Sequence, residues 1–361
     1  MGIAAVPRYM GQDFTGAPPG HRFGLYFPHW RDMTWEADSN QKTAALKQVI
    51  GLEQGCQQQI KALRQRQAAL AECCTPEILI LPAISTAPFM TGTGMEHPLE
   101  NGFAFLNPYG LPYLPGSGVK GVLRRAVEEL VSGDYGDAEG WNQDAINALF
   151  GRETESSDSE TTRNRGALMF WDVIPEPAGN TLRVEIMTPH YGDYYQGSTT
   201  PHDSGQPNPI PFLAIPPGSS FTFHVQCNPA LLPKTLRDSW QILLEAAFRH
   251  AFDWLGFGAK TAVGYGQMRK NEQAQRPQHS KQERWRYEIS EWTDKQLAER
   301  LGRNWNRTKN EYGDDLKTFL TLVQELRGTT LSEWARSTKD NEKKAFKNLS
   351  PFLEGKEDHT A

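Results

Sequence analysis

Tyr109–Leu130 reads YGLPYLPGSGVKGVLRRAVEEL, and the fold follows from how this stretch is read. Pro112 and Pro115 stiffen the approach, since proline fixes φ. Gly116-Ser117-Gly118 then turns the chain into a helix, with Ser117 placed as its N-cap. Val119, Val122, Leu123, Ala126, Val127 and Leu130 follow at spacings of three and four, one continuous apolar face. On the other face Arg124 has Glu128 four residues on, and Arg125 has Glu129, both helix-supporting pairs. Lys120 has only Arg124 at that spacing. It also stands in the first turn, where the macrodipole already places positive charge. A glycine-rich turn, open N–H groups and an unpaired lysine together describe a phosphate site. The plain alternative is an amphipathic helix with a solvated lysine.

The 361 residues suffice for one large elaborated domain or two ordinary ones. Hydrophobic residues are 38% of the chain and mean hydropathy is −0.60, so long polar insertions around a modest core are expected. A net charge of −5 excludes a polycation; nucleic-acid binding must then come from local patches. Cys56, Cys73, Cys74 and Cys227 show no C-x-x-C spacing, which argues against structural zinc and for a reducing cytoplasm. No signal-peptide pattern and no stretch of membrane-spanning length is present, so no membrane partner is expected.

Residues 1–20 carry several Gly and Pro without periodicity and are expected to form a mobile arm. His21–Phe27 (HRFGLYF) reads as a first strand. Ser39–Cys74 is rich in Gln, Lys, Arg and Ala with helical apolar spacing interrupted at Gly51 and Gly55, a helical insertion. Ile78–Leu81, Ala167–Val173, Arg183–Met187 and Phe221–Gln226 read as strands. Residues 151–165 (GRETESSDSETTRNR) are polar and expected to be disordered. Helices are expected over Trp141–Phe150 and from about Pro233 to Leu255. After a polar linker, residues 284–355 read as an all-helical extension, with capping-box patterns at Thr293-x-x-Gln296 and Thr330-x-x-Glu333.

A second motif, Leu255–Met268 (LGFGAKTAVGYGQM), places Gly256, Gly258, Gly264 and Gly266 around Lys260. It follows a helix, whereas a dinucleotide fingerprint needs its glycines between a strand and a helix start. A P-loop needs Gly-Lys-Ser/Thr entering a helix, and here no glycine precedes Lys260. What remains is a glycine-rich loop that lets an extended ligand backbone approach closely. The alternative is a helix C-cap followed by a hairpin.

Together the two motifs resemble the RAMP superfamily of CRISPR effector proteins. The helix-capping run appears as Pro115-Gly116-Ser117-Gly118-Val119-Lys120-Gly121-Val122-Leu123-Arg124, and the C-terminal glycine loop as Gly256–Gly266. Thr91-Gly92-Thr93-Gly94 with His97-Pro98-Leu99-Glu100, and Thr188-Pro189-His190-Tyr191 with Tyr194-Tyr195, make the chain most similar to the terminal backbone subunit of the Cmr-type (type III-B) complex. The likeness runs from about residue 20 to 270 and omits the helical tail.

This resemblance implies an α+β fold with a ferredoxin-like (RRM-like) core at residues 21–270. It implies a subunit that grips guide RNA, at the filament end holding the 3′ part of the guide. Complementary target RNA, other backbone subunits and the small helical subunit are the implied partners, and no cofactor or metal is implied. Gly116, Ser117, Gly118, Lys120 and Arg124, with Gly256, Gly258, Lys260, Gly264 and Gly266, are the expected phosphate contacts, both loops lying on one side of the core. His190, Tyr191, Tyr194 and Tyr195 suit base stacking or a neighbouring subunit. The cluster of His190, Tyr191, Asp193, His202 and Asp203 also leaves an endoribonuclease open, metal-dependent or not. Nothing in the residues requires it, and a non-catalytic RNA-binding scaffold is the favoured expectation.

Overall fold

The structure, a computed structural model, describes residues 2–152, 165–188, 197, 209–274, 285–286, 288–290 and 292–353. It divides into two compact units, Met1–Ala274 and Gln275–Ala361. The first contains, in chain order, α1 (Pro19–Gly24), α2 (Lys42–Lys47), α3 (Gln54–Cys73), β1 (Ile78–Ser85), β2 (Phe105–Leu106), β3 (Leu111–Pro112), α4 (Gly116–Ser132), α5 (Gln143–Phe150), β4 (Leu168–Phe170), β5 (Arg183–Met187), β6 (Ile210–Ala214), β7 (Ser220–Cys227), α6 (Trp240–His250) and β8 (Met268–Lys270).

β1, α4, β4, β7, α6 and β8 form a βαββαβ series. Its four strands make one antiparallel sheet in the order β4-β7-β1-β8. The first and third strands of the series lie at the centre, the ferredoxin-like arrangement. The fold is therefore α+β with a ferredoxin-like core. The two-residue period decides the faces. Leu79, Leu81 and Ala83 pair across to Val225, Phe223 and Phe221, and all six are buried in the main core. Val119, Leu123, Ala126, Val127 and Leu130 of α4 join the same core. Fully burying each such Leu or Val contributes about 1.5–3 kcal/mol. The opposite face carries Ile80, Pro82, Ile84, Thr222 and Gln226, all half-buried, and the buried His224. β5 and β6 form a separate antiparallel pair, with Met187 opposite Ile210 at the end joined by their connection.

Several local expectations change. His21–Phe27 is not a strand: Pro19 opens α1, a position proline favours. Phe23 and Phe27, four apart, both enter the core. Residues 1–20 do not form a free arm, because Ile3 bridges Trp30, Ala4 is buried and the Gln12 amide bonds both the N–H and the carbonyl of Ala4. Ser117 is not the N-cap. Pro115 holds that position, and Asp172 supplies the capping oxygen from another segment. The helix expected from Pro233 starts as a 3₁₀ turn, Lys234–Leu236, before α6 and a π turn, Ala251–Leu255. The stretch expected to be disordered, 151–165, lies mostly outside the described residues; at its ends Gly151 bridges Arg165.

The second unit contains α7 (Asp294–Ala298), α8 (Trp305–Tyr312), α9 (Leu316–Trp334) and α10 (Asp340–Leu353). Its own core gathers Ile289, Leu301, Phe319, Val323, Leu331, Trp334, Ala345 and Leu349. Thr293 and Gln296 make the expected capping box at α7. The second pattern does not: Thr330 lies inside α9, where Leu331 and Trp334 are buried and keep the helix running. α9 is broken at Arg327 (φ −128°), whose guanidinium bonds the carbonyls of Ile289 and Ser290 at 3.0 and 3.1 Å and also that of Trp292.

Candidate nucleic-acid interface

The start of α4 is more occupied than a bare helix terminus. The Gly116 N–H donates to Asp172 Oδ1 at 2.7 Å. The Gly118 and Val119 N–H groups donate to the Pro115 carbonyl at 2.9 and 3.2 Å. The Ser117 N–H is left without a partner among the described residues, at an exposed position. Gly116 must be glycine, because a Cβ there would run into the Phe170 carbonyl. The helix thus carries its own anion, Asp172, against its dipole. Lys120 is half-buried with no ion pair among the described residues. Arg124 is spent within the unit, on Glu128 Oε1 at 3.0 Å and the Gly151 carbonyl at 2.9 Å. Arg125 bonds Glu129 at 2.9 Å, as the spacing requires.

The second glycine loop is anchored by Phe257, which is fully buried among Phe223, Phe248 and Phe252. At the neck the Phe257 N–H donates to the Gly266 carbonyl at 2.9 Å, and the Gly266 N–H to the Pro88 carbonyl at 2.8 Å. Gly266 has φ +70°, and a Cβ there would collide with the Phe257 carbonyl. Lys260 sits at the tip in the left-handed region (φ 59°). Its Nζ lies 3.6 Å from Met187 Sδ, at the end of the β5–β6 pair from which their connection leaves. The N–H groups of Gly258 and Lys260 have no partner among the described residues. Gly256 and Gly264 serve the loop's turns, with φ +71° and +92°.

The two motifs do not share one side of the core. Gly116 abuts the outer edge of β4, where Phe170 pairs with Val225 and the Trp171 N–H reaches the His224 carbonyl. Gly266 leads to β8, the other edge strand, at the level where the Thr86 N–H meets the Gln267 carbonyl. Three strand spacings across (about 14 Å) and six residues along (about 20 Å) put them at diagonal corners of the sheet. A single phosphate cannot touch both; an extended strand can. His190, Tyr191, Tyr194 and Tyr195 lie outside the described residues, on the connection between β5 and β6.

The sheet face opposite α4 and α6, which α3 contacts through Arg64 and Gln67, holds groups that sequence reading passed over. Trp171 and His224 stack with ring centroids 5.3 Å apart and planes 21° apart. Arg64 of α3 donates to the Ile174 carbonyl at 3.1 Å and Thr222 Oγ1 at 3.4 Å, and Gln67 to the Asp172 carbonyl at 2.7 Å. Burial drives the His224 pKa down to about 4, with the Arg64 charge adding to the effect. The alternation Thr222-His224-Gln226 was the available signal: it marks a second face, and the neighbouring strand's alternate residues, Met169 and Trp171, share it. Among the described residues no group of three or more His, Cys, Asp or Glu is arranged to hold a metal ion, and no helix is long and apolar enough to cross a membrane.

Residues 85–269 match the RAMP superfamily, just over half of the chain. The chain belongs to the RAMP superfamily. Two curated relatives are similar to it. The CRISPR system Cmr subunit Cmr6 of Pyrococcus furiosus is 29% identical over 225 residues, covering 50% of this chain and 64% of that protein. The Cmr6 subunit of Saccharolobus solfataricus is 28% identical over 168 residues, covering 46% and 47%. The match thus spans less than two thirds of either relative. Among solved structures, the crystal structure of Cmr6 from P. furiosus is 26% identical, covering 54% of this chain and 98% of that one, with a TM-score of 0.29. A cryo-EM structure of the type III-B Cmr-beta complex bound to cognate target RNA is 16% identical, covering 64% and 71%, with a TM-score of 0.43. Both glycine motifs lie within the residues that match the RAMP superfamily.

Proposed function

We propose that this RAMP protein is a guide-RNA-binding backbone subunit of a type III-B CRISPR ribonucleoprotein. It occupies the filament end that holds the 3′ part of the guide, beside other backbone and small helical subunits. It does not itself cut RNA. The observation that carries the reading is the pairing of two lysines with open backbone donors. Lys120 stands one turn from the unbonded Ser117 N–H, and Lys260 beside the unbonded Gly258 N–H. Neither lysine has an acidic partner among the described residues. A cation next to a free N–H is the chemistry a phosphate diester meets in backbone-tracking proteins. The Cmr6 names of the relatives supply the class of complex. Arg124 leaves the contact set, held by Glu128 and Gly151. His190, Tyr191, Tyr194 and Tyr195 remain proposed base or subunit contacts.

The test is incubation of the purified chain with labelled guide and target RNA, with and without EDTA. Bound, intact RNA in both conditions is expected. Cleavage that His190→Ala or Asp193→Ala abolishes would establish the endoribonuclease reading instead.

A further inference from the structure

The turn Arg31–Glu36 (RDMTWE) stands out from the first unit: every residue from 31 to 37 is exposed. Its base is closed. Trp30 bridges both Ile3 and Ala37. The Arg31 N–H donates to the Glu36 carbonyl at 2.9 Å, and the Trp35 N–H to the Arg31 carbonyl at 3.1 Å. The Arg31 guanidinium faces Glu36 and Asp38, at 3.6 Å each. Within the turn the Met33 N–H donates to Asp32 Oδ1 at 2.9 Å.

Two features of this turn bring the fold no gain. Met33 and Trp35 both lie in the left-handed region, with φ of 71° and 57°. For side chains of this size that backbone is unfavourable, whereas glycine adopts it freely. The same two side chains are turned to solvent, Met33 at 77% and Trp35 at 52% exposure. A strained backbone that holds large apolar side chains outward is the signature of a binding element. Met and Trp are also among the residue types enriched at the centres of protein interfaces.

Charge selects the partner. Arg31 stands against Asp32, Glu36 and Asp38, which leaves two negative charges unmatched. It is the only Lys or Arg between Arg22 and Lys42. Lys42 is held by Glu100, and Arg22 is buried on the carbonyls of Gln48 and Gly51. An RNA strand, which needs cations for its phosphates, and an anionic lipid surface are both repelled by such a tip. A protein pocket that is apolar inside and basic at its rim fits both the side chains and the charge.

We propose that the Arg31–Glu36 turn is a docking knob, with Met33 and Trp35 entering an apolar, basic-rimmed pocket on a neighbouring protein subunit. This rests on the reading of the chain as a subunit of a ribonucleoprotein. The closed base keeps the knob in shape before the partner arrives, so little loop ordering is left to oppose docking. Asp32 and Glu36 meet the rim and steer the approach.

The probe is the subcomplex of the other Cmr-type subunits with guide RNA, purified without this chain. The full chain is added and binding is read by biolayer interferometry. Met33→Gly with Trp35→Gly is expected to weaken binding at least about ten-fold. Its melting temperature should stay at or above the wild-type value, because the left-handed strain is relieved. A lower melting temperature would mean that the two side chains serve the fold, and overturns the knob. Asp32→Asn with Glu36→Gln should slow association at low salt and not at high salt; no change at either overturns the basic rim. Trp35→p-benzoylphenylalanine is expected to cross-link, on irradiation, to a protein subunit of the complex. Cross-links to the RNA, to a second copy or to the chain itself overturn the proposal, as does binding of the first double variant within about two-fold of wild type. Each of these leaves the subunit reading standing. A wild-type chain that does not join the subcomplex overturns both.

Discussion

Neutralising Lys120 and Lys260 separates phosphate binding from packing. Each phosphate contact to a single strand contributes about 0.7 to the slope of log affinity against log salt. Lys120→Gln and Lys260→Gln should each flatten the slope by about 0.7, and the double variant by about 1.4. Between 50 and 200 mM salt, wild-type affinity should then fall about seven-fold further than that of the double variant. The geometry also demands additivity. Diagonal corners of the sheet lie beyond the ~10 Å Debye length at 0.1 M salt and beyond the range at which neighbouring substitutions couple. Neither lysine has an ion pair among the described residues, so melting temperatures should stay close to wild type. Fluorescence anisotropy with a labelled single-stranded RNA, titrated at four salt concentrations, reads the slopes. An unchanged slope in the double variant refutes the site. Single-variant changes that fail to sum to the double would mean one shared phosphate, and would refute the corner-to-corner geometry.

Gly266→Ala should destabilise the first unit by more than about 2 kcal/mol in thermal melts, since it adds left-handed strain to a collision with the Phe257 carbonyl. Gly264→Ala, also at positive φ but with nothing near its new Cβ, should cost only about 1–2 kcal/mol. Equal effects would show that the neck contact does not matter. His224 stays neutral in the fold down to about pH 4, while in the unfolded chain it takes a proton near pH 6.5. Its contribution is thus fully present above pH 6.5 and is lost as pH falls toward 4, by up to about 3 kcal/mol. Urea midpoints should fall less between pH 7 and 5 for His224→Gln than for wild type, and identical pH profiles would contradict this. Arg327→Ala removes charge-assisted bonds to the carbonyls of Ile289, Ser290 and Trp292. It should destabilise the helical unit by about 1.5–3 kcal/mol, and an unchanged melt of that unit would show those bonds to be dispensable.

Long periodic segments were legible in the sequence because burial and period agree there. α4 shows this with its Val119–Leu130 face, and α6 with Leu243, Leu244, Ala247 and Phe248. β1, β4 and β7 were legible for the same reason, whereas β6 and the three-residue β8 were not. What the sequence hid was tertiary in origin. HRFGLYF offers aromatic spacing compatible with either period, and Pro19 at a helix start decided it. Ser117 has the chemistry of an N-cap, but Asp172, 56 residues beyond Gly116, reaches the terminus first. The glycine motifs were visible as local patterns. Their placement at opposite corners depends on strand order, which no local pattern encodes. Trp171 and His224 meet only because two strands pair in one register.

Asp172 makes the start of α4 a site with a resident tenant. Its carboxylate is intramolecular, so it competes at a high effective concentration against anything arriving from solution. Free phosphate and stray nucleotides, which bring no such advantage, are poor rivals. In the proposed role, a strand already tethered at the Lys260 corner would bring its next phosphates in as local neighbours and compete on equal terms. The corner would then report whether RNA is already threaded across the sheet.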